Sequence, residues 1–169
     1  MKTFKYNFFS KILYRYANIP ANLILVFYFL ASVFGITQDW KFIFPLLINI
    51  ILLYVLNKFY FRMYKTFPFH IQTDNEKMIC TDFVINNRKL EIKHLDIIEI
   101  KGGIFSGRAY MPLYLITKDV KIGISPHLKD YNKLLTIILT NINKDLYESL
   151  LESIKKIAFD NTPKRKKKK

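Results

Sequence analysis

Apolar residues crowd two stretches of the chain, Ile19 to Ile36 and Phe42 to Leu56, and only Thr37-Gln38-Asp39-Trp40-Lys41 separates them. A spanning helix needs roughly 20 mostly apolar residues, with a range of about 17–25. The first run predicts a helix over 19–37, with Pro20 and Asn22 confined to its first turn. The second has one internal polar residue, Asn49, and extends through Asn57 and Lys58 to Phe61, predicting a helix over about 42–61. A lysine at such an end can snorkel toward the headgroups. So short a link makes the pair antiparallel neighbours. Tyr14, Tyr16, Trp40, Tyr60 and Tyr64 flank the runs, as interfacial aromatics do. A soluble α-domain would have to hide Val26 to Leu30 and Leu46 to Leu56 on every face, and the rest of the chain is too short to cover them. A cleaved signal peptide is disfavoured, because no small-residue cleavage site precedes Trp40 and a second apolar run follows at once. The expectation is a membrane hairpin over residues 19–65.

Upstream, residues 1–18 form an amphipathic segment in which Phe4, Phe8, Ile12 and Tyr16 recur every four positions with lysines between them. That spacing predicts a short interfacial helix on the inner leaflet, or alternatively a lead-in to the first span.

From Phe69 onward the period changes from helical to two-residue alternation. His70–Thr73, Met78–Thr81, Lys89–Lys93, Ile97–Ile100, Leu113–Ile116 and Val120–Ile124 predict short strands, with turns at Asp74-Asn75-Glu76 and Asn86-Asn87. Together they predict an antiparallel meander, with Gly102, Gly103 and Gly107 marking a hairpin or bulged loop in its middle. Ser125-Pro126 carries the signature of an N-cap followed by proline at the first helical position. Leu128, Tyr131, Leu134, Leu135, Ile138, Leu139 and Ile142 continue as one apolar stripe. A second amphipathic helix, 144–159, is left with three places to pack: the first helix, a partner or the membrane. The fold class expected is therefore a membrane α-hairpin of two transmembrane helices followed by an α+β domain over 66–143.

This order of elements resembles small bacterial membrane proteins with two spans and a pleckstrin-homology-like domain. The likeness is carried by Ile97-Ile98-Glu99-Ile100, the loop Gly103-Ile104-Phe105-Ser106-Gly107-Arg108, Leu113-Tyr114-Leu115-Ile116, and Ile122-Gly123-Ile124-Ser125-Pro126. It covers roughly residues 20 to 142. The resemblance implies a bent antiparallel β-sheet capped by a C-terminal helix, and a binding or scaffolding module rather than an enzyme. Fewer strands are legible than the seven of a full pleckstrin-homology fold. Eukaryotic relatives often read phosphoinositides through basic residues in the first hairpin loop. Here that loop, Asp74-Asn75-Glu76-Lys77, is more acidic than basic, and no lipid-binding residue carries over.

The net charge of +14 invites a nucleic-acid reading, so its location matters. Residues 1–65 hold eight Lys/Arg against one acid, and the tail Lys164, Arg165, Lys166, Lys167, Lys168 and Lys169 holds six cations. Between 66 and 163 stand 13 basic and 12 acidic residues, a near-neutral domain. A nucleic-acid groove needs its charge on the domain itself, so no nucleic-acid partner is expected. The tail, residues 160–169, is expected to be disordered after Asp160-Asn161-Thr162-Pro163. It is a candidate contact for anionic lipid, at about 1 kcal/mol per cation, or else a solvated end. Lys2, Lys5, Lys11 and Arg15 before the first span, with Lys58, Arg62 and Lys65 after the second, place both termini and the domain in the cytoplasm, on the inner membrane.

Catalytic chemistry is not expected. Cys80 is alone and reads as a buried structural thiol. His70, His94 and His127 are too far apart for a metal site and read as surface or turn residues. The glycines from Gly102 to Gly107 lack a phosphate-loop ending, leaving Arg108 as a weak candidate anion contact. No cofactor is expected. The favoured reading is a membrane-anchored, non-catalytic interaction or scaffolding module with a protein partner or self-association. The alternative is a peripheral reader of anionic headgroups through the domain or the basic tail. A membrane enzyme is disfavoured by the missing residue pairs, while an immunity-type membrane protein has the same outline. Asn49, in mid-span, either supports self-association or faces the neighbouring span.

Overall fold

The structure is a computed structural model and describes residues 1–85 and 88–160. It divides into two units, and the division does not follow chain order. Residues Phe8–Lys65 form one unit, while Met1–Asn7 join the residues from Thr66 onward in the other.

The first of these holds helices α1 (Phe8–Tyr16), α2 (Asn18–Ile36) and α3 (Ile43–Thr66). Helices α2 and α3 are long and apolar enough to cross a membrane. In the most apolar stretch of each candidate span only 6% is buried. The covered residues fall in one seam. Asn18, Asn22, Leu25, Phe29, Ser32 and Ile36 on α2 and Leu46, Asn49, Leu53, Leu56 and Tyr60 on α3 recur at alternating three- and four-residue steps, the spacing by which two helices interdigitate. At the tip, the Asp39 carboxylate accepts from the Lys41 N–H at 3.0 Å and caps the 3-10 turn Trp40–Phe42 that leads into α3. A Cβ on Gly35 would stand 2.5 Å from the Phe42 ring, so a larger residue there would displace that ring. Asn49 is buried and its amide donates to the Pro45 carbonyl of its own helix. Asn49 thus takes a position in the seam.

Near the other end of the hairpin, Asn22 and Asn57 exchange side-chain hydrogen bonds, at 2.7 and 3.3 Å. The Tyr64 hydroxyl reaches the Asn18 Oδ1 at 2.7 Å and the Arg15 carbonyl at 2.9 Å. Polar groups in an apolar hairpin thus satisfy one another, as they must wherever water is absent.

Among the described residues, the second unit has seven strands in two antiparallel sheets. One has the order β1-β2-β3-β4, with β1 Lys2–Lys5, β2 His70–Thr73, β3 Lys77–Thr81 and β4 Leu90–Lys93. The other has the order β5-β6-β7, with β5 Glu99–Gly102, β6 Leu113–Ile116 and β7 Lys121–Ile124. Alternation puts Ile71 and Thr73 inward, and Met78, Leu113, Leu115, Ile122 and Ile124 meet them at essentially zero exposure. Helix α4 (Tyr131–Asn141) adds Leu134, Leu135 and Ile138 to that core.

Strand β1 corrects the reading of residues 1–18 as one amphipathic segment. Phe4 does not continue the helical repeat of Phe8, Ile12 and Tyr16. It lies in a strand paired with β2, Phe4 opposite Ile71 and Lys5 opposite His70, and is 4% exposed. The segment also reaches the chain beyond β7. The Lys129 N–H donates to the Lys5 carbonyl at 3.2 Å, and the Ser125 N–H donates to the Tyr6 hydroxyl at 3.1 Å. Seven N-terminal residues therefore join the two sheets. Their capture of the post-β7 backbone also explains why α4 starts at Tyr131 and not at Pro126. Ser125 caps a local turn, its Oγ accepting from the His127 N–H at 3.2 Å, and Asp130 takes the left-handed conformation (φ 58°) just before the helix.

Helix α5 (Lys144–Asp160) packs at a place that the three expected from its sequence do not include. It packs on the 3-10 turn Gly103–Ser106 between β5 and β6, burying Leu150 and bringing Ile157 against Gly107. Residues 144–160 therefore belong to the β-rich unit, beyond the expected boundary at 143.

Candidate functional site

The β-rich unit carries a groove of about 510 Å³ between the end of β4 and the β6–β7 turn, with Ile92 beneath it. Its apolar walls are Leu95, 71% exposed, and Ile98, 54% exposed. Asp96, Asp119 and Glu91 stand on its rim with Lys118. Leu95 and Ile98 thus give the groove a small apolar surface bordered by acids.

Local chemistry fixes both banks. In the 3-10 turn His94–Asp96, His94 turns inward at 1% exposure and forces Leu95 and Asp96 outward. His94 Nε2 lies 3.0 Å from the Asp74 carbonyl and 3.1 Å from the Thr73 hydroxyl. A carbonyl only accepts, which places the proton on Nε2. Nδ1 is left buried with no partner among the described residues. The His94 N–H also donates to the Glu76 carbonyl at 3.0 Å. This histidine, expected at the surface or in a turn, is in a turn but buried as a brace. On the opposite bank, Thr117 closes the β6–β7 turn by accepting from the Val120 N–H at 3.1 Å and returning its own N–H to the Val120 carbonyl at 2.9 Å.

The brace leans on the β2–β3 turn, where the Asp74 carboxylate accepts from the Glu76 and Lys77 N–H groups at 3.0 and 2.9 Å. The Lys77 N–H bond first, then the Glu76 one, holds the Asp74 carboxyl below its ordinary value. A depressed carboxyl stabilises the fold fully above its unfolded-state value and loses that effect as pH falls through the folded value. The turn is expected to loosen only below about pH 4, read as faster amide exchange at Glu76 and Lys77. Beside it, Lys77 and Glu91 pair at 2.7 Å, raising the lysine and lowering the acid.

The residues singled out from sequence fall elsewhere. Arg108 is exposed in the β5–β6 connection, its N–H bonded to the Gly103 carbonyl at 3.2 Å, with exposed Tyr110 and Met111 near it in sequence. The cations Lys164–Lys169 lie outside the described residues. Cys80 is fully buried, and burial pushes its thiol up to about 12. It is expected to resist maleimide at neutral pH and to react at once in denaturant, as measured by mass shift. Among the described residues no group of His, Cys, Asp and Glu is placed to hold a metal ion.

Comparison of the chain with protein-family models, with curated proteins and with solved structures gives no match. The reading of the site rests on its geometry.

Proposed function

We propose that this chain is a membrane-anchored, non-catalytic interaction module of pleckstrin-homology-like architecture, whose Leu95–Ile98 groove docks a protein partner at the cytoplasmic face. Four plus three antiparallel strands followed by a helix support that architecture, and the strand short in the sequence count is β1. The observation that carries the proposal is the pairing of β1 with β2 across the hairpin. Because one folded unit receives both ends of residues 8–65, a spanning hairpin crosses twice and returns to the side it left. The excess of Lys and Arg on both flanks supports the cytoplasm as that side.

The groove favours a partner segment with apolar side chains flanked by Lys or Arg. The apolar anchors fill the space between Leu95 and Ile98, and the cations meet Asp96 and Asp119, which form no ion pair among the described residues. Photo-crosslinking tests this in native membranes. A benzophenone side chain at Leu95 or Ile98 is expected to give one discrete adduct that Asp96→Lys with Asp119→Lys abolishes. The same probe at Tyr110 is expected to give none. Equal adducts at all three positions, or none at the groove, contradict the proposal.

A further inference from the structure

The hairpin has a cation that its own fold does not neutralise. Lys58 is the only Lys or Arg between Lys41 and Arg62 in the apolar run of α3. Its ammonium turns back one helical turn to the Tyr54 hydroxyl at 3.3 Å, and sits 5.2 Å from the centre of that ring. Among the described residues it meets no carboxylate. The one acid of residues 1–65 is Asp39, whose carboxylate is engaged at the hairpin tip. An ammonium near the end of an apolar span, turned back onto Tyr54 with no carboxylate beside it, marks a position with an anionic partner to be found.

Beside Lys58 lies a groove of about 420 Å³, lined also by Asn18, Tyr54, Tyr60, Phe61 and Tyr64. Its floor is fixed. Tyr64 is held by Asn18 and the Arg15 carbonyl, and Asn57, also on the groove, is held by Asn22. The Tyr60 hydroxyl makes no hydrogen bond among the described residues and is left to donate, as are the remaining ammonium protons. Toward the middle of the span from Lys58, Val55 and Ile51, 55% and 60% exposed, offer a surface for an acyl chain.

We propose that this groove seats one anionic phospholipid, its headgroup phosphate on Lys58 and the Tyr60 hydroxyl and an acyl chain along α3. The inference rests on the reading of α2 and α3 as membrane spans. An anionic phospholipid is the ligand that brings both a phosphate and the single net negative charge Lys58 lacks. A zwitterionic lipid brings its own cation to compete. Charge-assisted bonds to phosphate are the strong ones, and the long lysine side chain can swing from Tyr54 toward the helix end, where phosphates lie.

The test uses the full chain in nanodiscs of phosphatidylcholine and phosphatidylglycerol in equal amounts, with retained lipid counted by native mass spectrometry. The wild type is expected to keep one phosphatidylglycerol in about tenfold preference over phosphatidylcholine. Lys58→Met, which makes the span more apolar and so leaves insertion intact, is expected to remove the preference. Lys58→Arg is expected to keep it, as is Lys41→Met at the far end of the hairpin. A wild type without preference, or a Lys58→Met variant equal to it, overturns the seat while leaving the spans in place. A chain that alkaline carbonate strips from membranes removes the spans themselves.

Discussion

A fragment beginning at Thr66 is expected not to fold, whereas a chain in which residues 8–65 are replaced by a short Gly/Ser link is expected to unfold cooperatively in water. Strand β1 is the reason. Phe4 and Tyr6 are 4% and 8% exposed, and burying such side chains stabilises by about 1.5–3 kcal/mol each. The β1–β2 ladder and the bonds from Lys5 and Tyr6 to the segment after β7 are lost with them. The total, about 3–6 kcal/mol before any hydrogen bonds, is a large share of the 5–15 kcal/mol typical of a domain. It also strips β2 to a bare edge, an invitation to aggregate. A short link suffices because Lys5 and His70 are directly opposed, within the reach of a hairpin loop. Circular dichroism melts and size-exclusion profiles of the two fragments read the difference. A monomeric Thr66 fragment with the same melting temperature shows β1 to be dispensable.

His94→Ala has the second largest expected effect, about 2–4 kcal/mol, from an opened cavity and the loss of the ring contacts to the Asp74 carbonyl and the Thr73 hydroxyl. In a domain of this size the loss lowers Tm on the order of 10–20 °C. The change also frees the turn that presents Leu95 and Asp96, so crosslinking from Leu95 is expected to weaken even in samples held well below the new Tm. A Tm within about 2 °C of the parent contradicts the brace.

The six strands after Phe69 were legible because alternation is a local property. Strand β1 was not. Four residues with one buried side chain, Phe4, carry little signal, and Phe4 fits the four-residue spacing of Phe8, Ile12 and Tyr16 as well as it fits a strand. Only pairing with Ile71 decides between them. The start of α4 was misplaced for a similar reason. Ser125-Pro126 has the chemistry of a helix start, but Tyr6, far away in sequence, takes up the Ser125 N–H. The single meander became two sheets because His94 leaves its strand line to brace the Asp74 turn.

The groove was hidden by residue type. Leu95 and Ile98 read as core in any pattern analysis, and their exposure follows from the inward turn of His94 and Ile97. The Asn22–Asn57 pair had a usable signal. In an antiparallel hairpin, residues equally far from the middle of the link face each other, and these two stand nearly equidistant from Asp39.

The central claim, a folded unit fastened to a membrane by a hairpin inserted after its first strand, is tested most directly by mapping sidedness in intact cells. Single cysteines at Thr3, Gln38 and Lys118 would be labelled with an impermeant maleimide, the buried native Cys80 serving as an internal blank. The expected result is labelling of Gln38→Cys from outside, with Thr3→Cys and Lys118→Cys labelled only after the membrane is opened. Labelling of Thr3→Cys and Lys118→Cys from opposite sides contradicts the claim, because one folded unit cannot hold both positions across a bilayer.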